Sequence, residues 1–233
     1  NGRWLSEPKI LNAINSTSNI ICVVALHGAD STIHDLITQK QDSFDETIHG
    51  ISAVVGINKQ VIVKVVISKL NINQLSSIVH LASSLKVKYV NMAFPHGQGR
   101  ARINFETVIP KYSELRLHLY KAIEIAQEDA LSIEFEAIPF CIIPQHPLLV
   151  GELQYLKKNR TIFAQVREQA LEWNEVRIAI KQKPGKCRDC FYDSICEGPW
   201  KEYLEHFGET DFCPISFKQE EKAKLLRILS QIK

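Results

Sequence analysis

The residues of this chain best suited to chemistry are its cysteines. Cys187 and Cys190 form a C-x2-C pair, Cys196 follows after five residues, and Cys213 comes 17 positions later. Cys141 lies upstream in Ile138-Pro139-Phe140-Cys141, and Pro184-Gly185 turns the chain just before the pair. Two thiols separated by two residues can reach one metal centre from a single turn. Thiolate-rich sets select iron–sulfur clusters or zinc, and a zinc knuckle uses the same C-x2-C hook. The sixth cysteine, Cys22, sits in an apolar run and reads as a packed small hydrophobe.

Other residues carry weaker signals. Lys64 interrupts the apolar run Val61 to Ile67. An ammonium there must face solvent or find an anion, for example a ligand carboxylate, because burying it alone is costly. His27, His34, His96 and His146 are typed for metal ligation, but lone loop histidines are more often scaffold, so His27 alone is kept as a site candidate. Glu134 and Glu136 alternate with Ile133 and Phe135 and share one strand face, as a solvated edge or as partners for lysines. Gly97-x-Gly99 lacks the third glycine of a dinucleotide loop. No residue is assignable as catalytic.

These groups need elements to hold them. Apolar, branched runs predict strands over Asn19–Leu26, Gln60–Ile67, Val87–Ala93 and Leu131–Ala137. Amphipathic stretches predict helices over Arg3–Asn15, Phe44–Val55 with Ser43 and Glu46 as a capping box, Gln74–Leu85 and Pro110–Ala130. A polar loop is expected up to Asp42. Alternation at this spacing means parallel βαβ units in an α/β fold. In such sheets ligands gather at the carboxyl ends of the strands. Here those ends are His27-Gly28, Asn71, Pro95-His96-Gly97 and the segment delivering Cys141. After three prolines between 139 and 147 an irregular region, the cysteine loop, a short helix from Pro199 to Phe207 and a tail helix over 216–232 are expected. The division is 1–137 for the β/α part and 138–233 for a metal-binding extension.

Composition narrows the class. The 233 residues are 45% hydrophobic and 23% charged, with a formal net charge of +2, which favours neither a nucleic acid nor a membrane surface as partner. No apolar run is long enough to span a bilayer. Six unevenly spaced cysteines do not resemble a secreted disulfide framework, so a reducing cytoplasm is expected.

In order, these pieces resemble the radical S-adenosylmethionine (radical SAM) enzymes. Asn1-Gly2 is similar to their strand-end TNG segment. Val23 through Gly28, His34-Asp35, Asp42-Ser43-Phe44, Thr47 and Gly50-Ile51 are similar to the fourth barrel strand and its loop. Val65 through Asn71, and Pro95-His96-Gly97, are similar to the fifth and sixth strand ends. Cys187-x2-Cys190-x5-Cys196-Glu-Gly198, with Tyr203, Gly208 and Phe212-Cys213-Pro214, is similar to the SPASM- or twitch-like tails that hold an auxiliary cluster.

The resemblance implies a partial (β/α) TIM-like barrel truncated at its N-terminus, with a Cys-rich cluster-binding extension. It implies S-adenosylmethionine on one [4Fe–4S] cluster, cleaved to a 5′-deoxyadenosyl radical that abstracts hydrogen from a peptide or small molecule. An auxiliary [4Fe–4S] cluster would use Cys141, Cys187, Cys190 and Cys196, with Cys213 competing with Cys141. By transfer, Lys64 and Asn71 would contact the methionine moiety or ribose, and the Pro95–Gly97 backbone would approach the adenine. The CxxxCxxC motif of the radical-forming cluster is absent. The first cluster and S-adenosylmethionine are therefore expected only with an N-terminal part, or with a second chain supplying it, and this chain alone is expected to be inactive. Ala25 stands where the family has serine, and Pro199 breaks the full SPASM spacing, which points to one auxiliary cluster. An electron donor is an expected partner. The competing reading is a zinc-stabilised, non-catalytic β/α binding or scaffold protein.

Overall fold

The computed structural model describes residues 1–156, 163–166, 169–218, 223 and 226–227. Its main sheet has four parallel strands side by side in chain order: β1 (Ile21–Ala25), β2 (Gln60–Val66), β3 (Tyr89–Ala93) and β4 (Ser132–Glu136). That order results from strand–helix–strand crossovers, each of which returns the chain to the same end of the sheet. The crossovers contain α2 (Ser31–Thr38) and α3 (Ser43–Gly56), then α4 (Leu75–Ser84), then α5 (Arg100–Ile103), α6 (Phe105–Val108) and α7 (Tyr112–Glu128), while α1 (Pro8–Ser16) precedes β1. The sheet stays open, a partial (β/α) barrel.

Register fixes what each face presents. Ala25 pairs with Lys64, Lys64 with Asn91, and Asn91 with Glu134. Side chains alternate along a strand, so this polar row lies on one face together with residues two positions away. The other face carries Val24, Val63, Val65, Val90, Met92, Ile133 and Phe135, all buried in one core with Ile51, Leu75, Ile78, Leu115 and Leu119 of the helices. The polar face is open in places: Val23 is 59% and Val66 41% exposed.

Two expectations about the first crossover need correction. The stretch from Asp30 to Asp42 is not a loop throughout, because the Asp30 side chain accepts from Ile33 N (3.0 Å) and starts α2, which ends at Gln39 in the left-handed region. Ser43 is not the cap of α3 either. The cap is Asp42 (φ 64°), and the orphan donors are met by Asp35, whose carboxylate accepts from Asp42 N, Ser43 Oγ and Phe44 N, each at 2.8 Å. Desolvation pushes the Asp35 carboxyl up, but these three bonds outweigh it and hold it below its ordinary value.

Beyond β4 the chain is more regular than composition suggested. A hairpin, β5 (Phe163–Val166) with β6 (Gln169–Glu172), leads into α8 (Trp173–Ala179). The prolines stop at Pro147 and none recurs before Pro184, so nothing prevents pairing there. Helix α9 (Lys201–Phe207) comes after the cysteine loop, as the sequence predicts. Of the expected tail helix, Ser216–Lys218 are irregular, Ala223, Leu226 and Arg227 are helical, and the remainder lies outside the described residues. The core runs on into the extension. Tyr112 stacks on Phe94 (4.1 Å between centroids) and packs on Tyr203 (4.7 Å), and its backbone N–H donates to Tyr203 Oη (3.0 Å). No helix among the described residues is long and apolar enough to cross a membrane.

Candidate cluster and cofactor site

The chain leaves β4 through Ala137, which holds a positive φ of 55°, and turns at Pro139 to present Cys141 beside the cysteine loop. That loop winds as short turns. Cys187 N donates to Pro184 O, Cys190 N to Cys187 O and Cys196 N to Tyr192 O, at 2.8 to 3.0 Å. Cys141, Cys187, Cys190, Cys196 and Cys213 all border one cleft, with Phe140, Tyr192 and Phe212 among its walls. All are free thiols. Among the described residues no three His, Cys, Asp or Glu side chains converge closely enough to hold a single metal ion.

Backbone donors aim at the sulfurs. Ile215 N donates to Cys190 Sγ (3.4 Å), while the nearby N–H groups of Gly198 and Phe140 favour the Cys196 thiolate and that of Cys213 the Cys141 thiolate. Burial pushes the Cys141 thiol up to about 12, with Cys196, Cys187 and Cys190 adding to the rise and the Cys213 N–H opposing it. Burial likewise takes Cys196 to about 11 against its two N–H donors. Cys213 is exposed.

A buried ionic group locks the cysteine loop to the sheet. The Lys181 side chain, 1% exposed, donates to Glu152 (2.6 Å) and Glu197 (2.8 Å), and Arg177 reaches Glu197 at 2.7 Å. Glu152 also accepts from Ala137 N (2.8 Å). Glu197 is next to Cys196, so the chain of bonds runs from the end of β4 to a cysteine. Sequence reasoning missed these residues; nothing in their spacing brings 152, 177, 181 and 197 together.

The predicted cofactor residues fall into three places. His27 and Asn71 meet at the ends of β1 and β2: Asn71 Nδ2 donates to His27 O and Val66 O (both 3.0 Å), and its Oδ1 accepts from Ser68 N (2.7 Å) and Ser68 Oγ (3.3 Å). The amide is thus fully used as a brace. His27 Nδ1 accepts from Val66 N (3.3 Å), which leaves the ring proton on Nε2. Burial, then His34, lower its pKa to about 4. Pro95 and Gly97 are both buried at the end of β3, where His96 packs at a tilt on Trp200 (4.3 Å) and a Cβ on Gly97 would meet Phe105 Cε2 at 2.4 Å. Lys64 lies deeper on the polar face, paired with Glu136 at 2.6 Å, so the anion it finds within the chain is a strand carboxylate. Burial raises the Glu134 carboxyl, opposed by its bond from Asn91.

No family profile and no curated protein matches this sequence. Its fold does have relatives among solved structures. SuiB from Streptococcus suis, bound to the precursor peptide SuiA, superposes with a TM-score of 0.54 at 15% identity, covering 90% of this chain and 56% of SuiB. SuiB bound to S-adenosylmethionine gives 0.54 at 14% identity with the same coverage. Identity this low establishes the fold alone. This chain has the fold of SuiB and spans 56% of its length.

Proposed function

We propose that this chain is the part of a radical SAM enzyme that carries an auxiliary [4Fe–4S] cluster and much of the S-adenosylmethionine-binding barrel, and that the enzyme modifies a peptide. The carrying observation is the cleft bordered by Cys141, Cys187, Cys190 and Cys196 against the end of β4, on a fold shared with a protein that binds S-adenosylmethionine and a precursor peptide. Four thiols bordering one cleft supply the ligand number and type that a [4Fe–4S] cluster takes. A lone tetrahedral zinc draws its sulfurs to about 2.3 Å from one centre. N–H bonds to the sulfurs also tune such clusters. When bound and reduced, S-adenosylmethionine supplies the 5′-deoxyadenosyl radical for hydrogen abstraction.

The chain's own residues bind and orient. Cys141, Cys187, Cys190 and Cys196 would hold the cluster, with exposed Cys213 bordering the same cleft. Asn71 braces the β1 and β2 ends, and His27 offers an Nε2–H donor there. The Pro95–Gly97 backbone shapes the neighbouring strand end, and Lys64 supplies the positive charge on the polar face.

Anaerobic reconstitution with iron and sulfide tests the reading. The protein should turn brown and hold about four irons per cluster. Cys190→Ala should lose them, since a missing ligand removes binding and folding energy together. Cys141→Ala should lose the cluster while Cys213→Ala retains it. A colourless protein with stoichiometric zinc would establish the zinc-stabilised scaffold instead.

A further inference from the structure

The polar face of the sheet carries a group of acceptors that exceeds the positive charge facing it among the described residues. Asn91 sits between the two β4 carboxylates, and its Nδ2 donates to Glu134 Oε2 (3.2 Å) and Glu136 Oε1 (3.1 Å). Lys64 Nζ meets the other Glu136 oxygen at 2.6 Å, and Gln154 Nε2 donates a long bond to Glu134 Oε1 (3.4 Å). One ammonium therefore stands against two carboxylates. Asn91 is only 4% exposed, yet its Oδ1 is buried without a hydrogen-bond partner. Both hydrogens of its amide are already spent on the glutamates, so the group is short of donors and of positive charge. The face is reachable: Lys64 and Glu136 are each about a third exposed at the side chain, 37% and 31%. Gly151 passes so close that a Cβ there would lie 2.9 Å from Glu134 Oε1, which leaves the carboxylate room only because residue 151 is glycine.

An anion brought here would meet two carboxylates and a carbonyl oxygen. A donor-rich cation would meet three acceptors, with Lys64 held aside by Glu136. We propose that Asn91, Glu134 and Glu136 form a subsite for a protonated amine or guanidinium on the substrate. This deepens the radical SAM reading and rests on it for the statement that the polar face receives substrate. It makes the preferred substrate a peptide or small molecule with a basic side chain or amino group near the reacting position.

The test uses the 233-residue chain with n-butylammonium chloride as probe, and sodium n-butyrate and magnesium chloride at matched ionic strength as comparisons. The readouts are the side-chain amide signal of Asn91 and the carboxyl carbon signals of Glu134 and Glu136 in NMR. Butylammonium should shift all three saturably, butyrate and magnesium should not, and Glu134→Gln should weaken the amine at least tenfold. Shifts driven by butyrate would make Lys64 the anchor and overturn the proposal. Saturation by magnesium, no saturable shift with the amine, or equal binding in Glu134→Gln would overturn it as well. Iron uptake by the same samples separates the two readings. A chain that loads iron but ignores the amine removes the subsite alone, while one that binds the amine but takes no iron removes the enzyme reading and leaves an amine site.

Discussion

His27 shows how one side chain ties local geometry to solution behaviour. Its ring accepts the Val66 N–H, a bond that a protonated imidazole cannot make. Folded His27 titrates near 4 against an ordinary 6.5, so between those values the unfolded chain binds the extra proton. Its contribution to stability is full above about pH 6.5 and is lost as pH falls toward 4, with a ceiling of about 3 kcal/mol. His27→Gln should flatten this acid limb when urea midpoints are measured from pH 7 to pH 4. The cysteines were readable from sequence because C-x2-C spacing is itself geometry. Lys181 and Glu152 were not, since residues 29 apart meet only through the fold. Asn91 was half readable: an amide between Val90 and Met92 in a strand marks a polar face, but its bonds to Glu134 and Glu136 need the register.

The elements were legible where periodicity ruled. All four strands of the main sheet and the long helices α3, α4 and α7 lie within a few residues of the ranges expected from apolar patterning. Helix α2 was hidden because its cap, Asp30, sits in a run of turn-forming residues. The hairpin β5–β6 was hidden because its strands are only four residues each and three prolines shortly upstream favour irregular backbone. At the cysteine loop the decisive residue is Gly198. It adopts φ +79°, a Cβ there would lie 2.5 Å from the Gln182 carbonyl oxygen, and its N–H opposes the rise of the Cys196 thiol. Gly198→Ala should therefore destabilise the protein by about 1–3 kcal/mol through strain and overpacking. It should also lower iron retained per chain after reconstitution, as read from the denaturation midpoint and an iron assay.

In the whole molecule, the extension is fastened to the sheet by charge and by aromatic packing. Removing one member of a buried ion pair typically costs about 3–5 kcal/mol because its partner is left uncompensated. Lys181→Met should cost about that much, visible as a lower urea midpoint by circular dichroism, and should loosen the cysteine loop with it. The aromatic contact carries a different consequence. Tyr203 of the extension caps the backbone of Tyr112, whose own hydroxyl donates to Ala137 O (2.8 Å), so the last barrel helix, the strand exit and the tail share one hydrogen-bonded hub. Such a tail is not a cassette. A foreign tail grafted after residue 137 would strand Tyr112 and Phe94 against mismatched partners, so the two parts can be exchanged only as a unit.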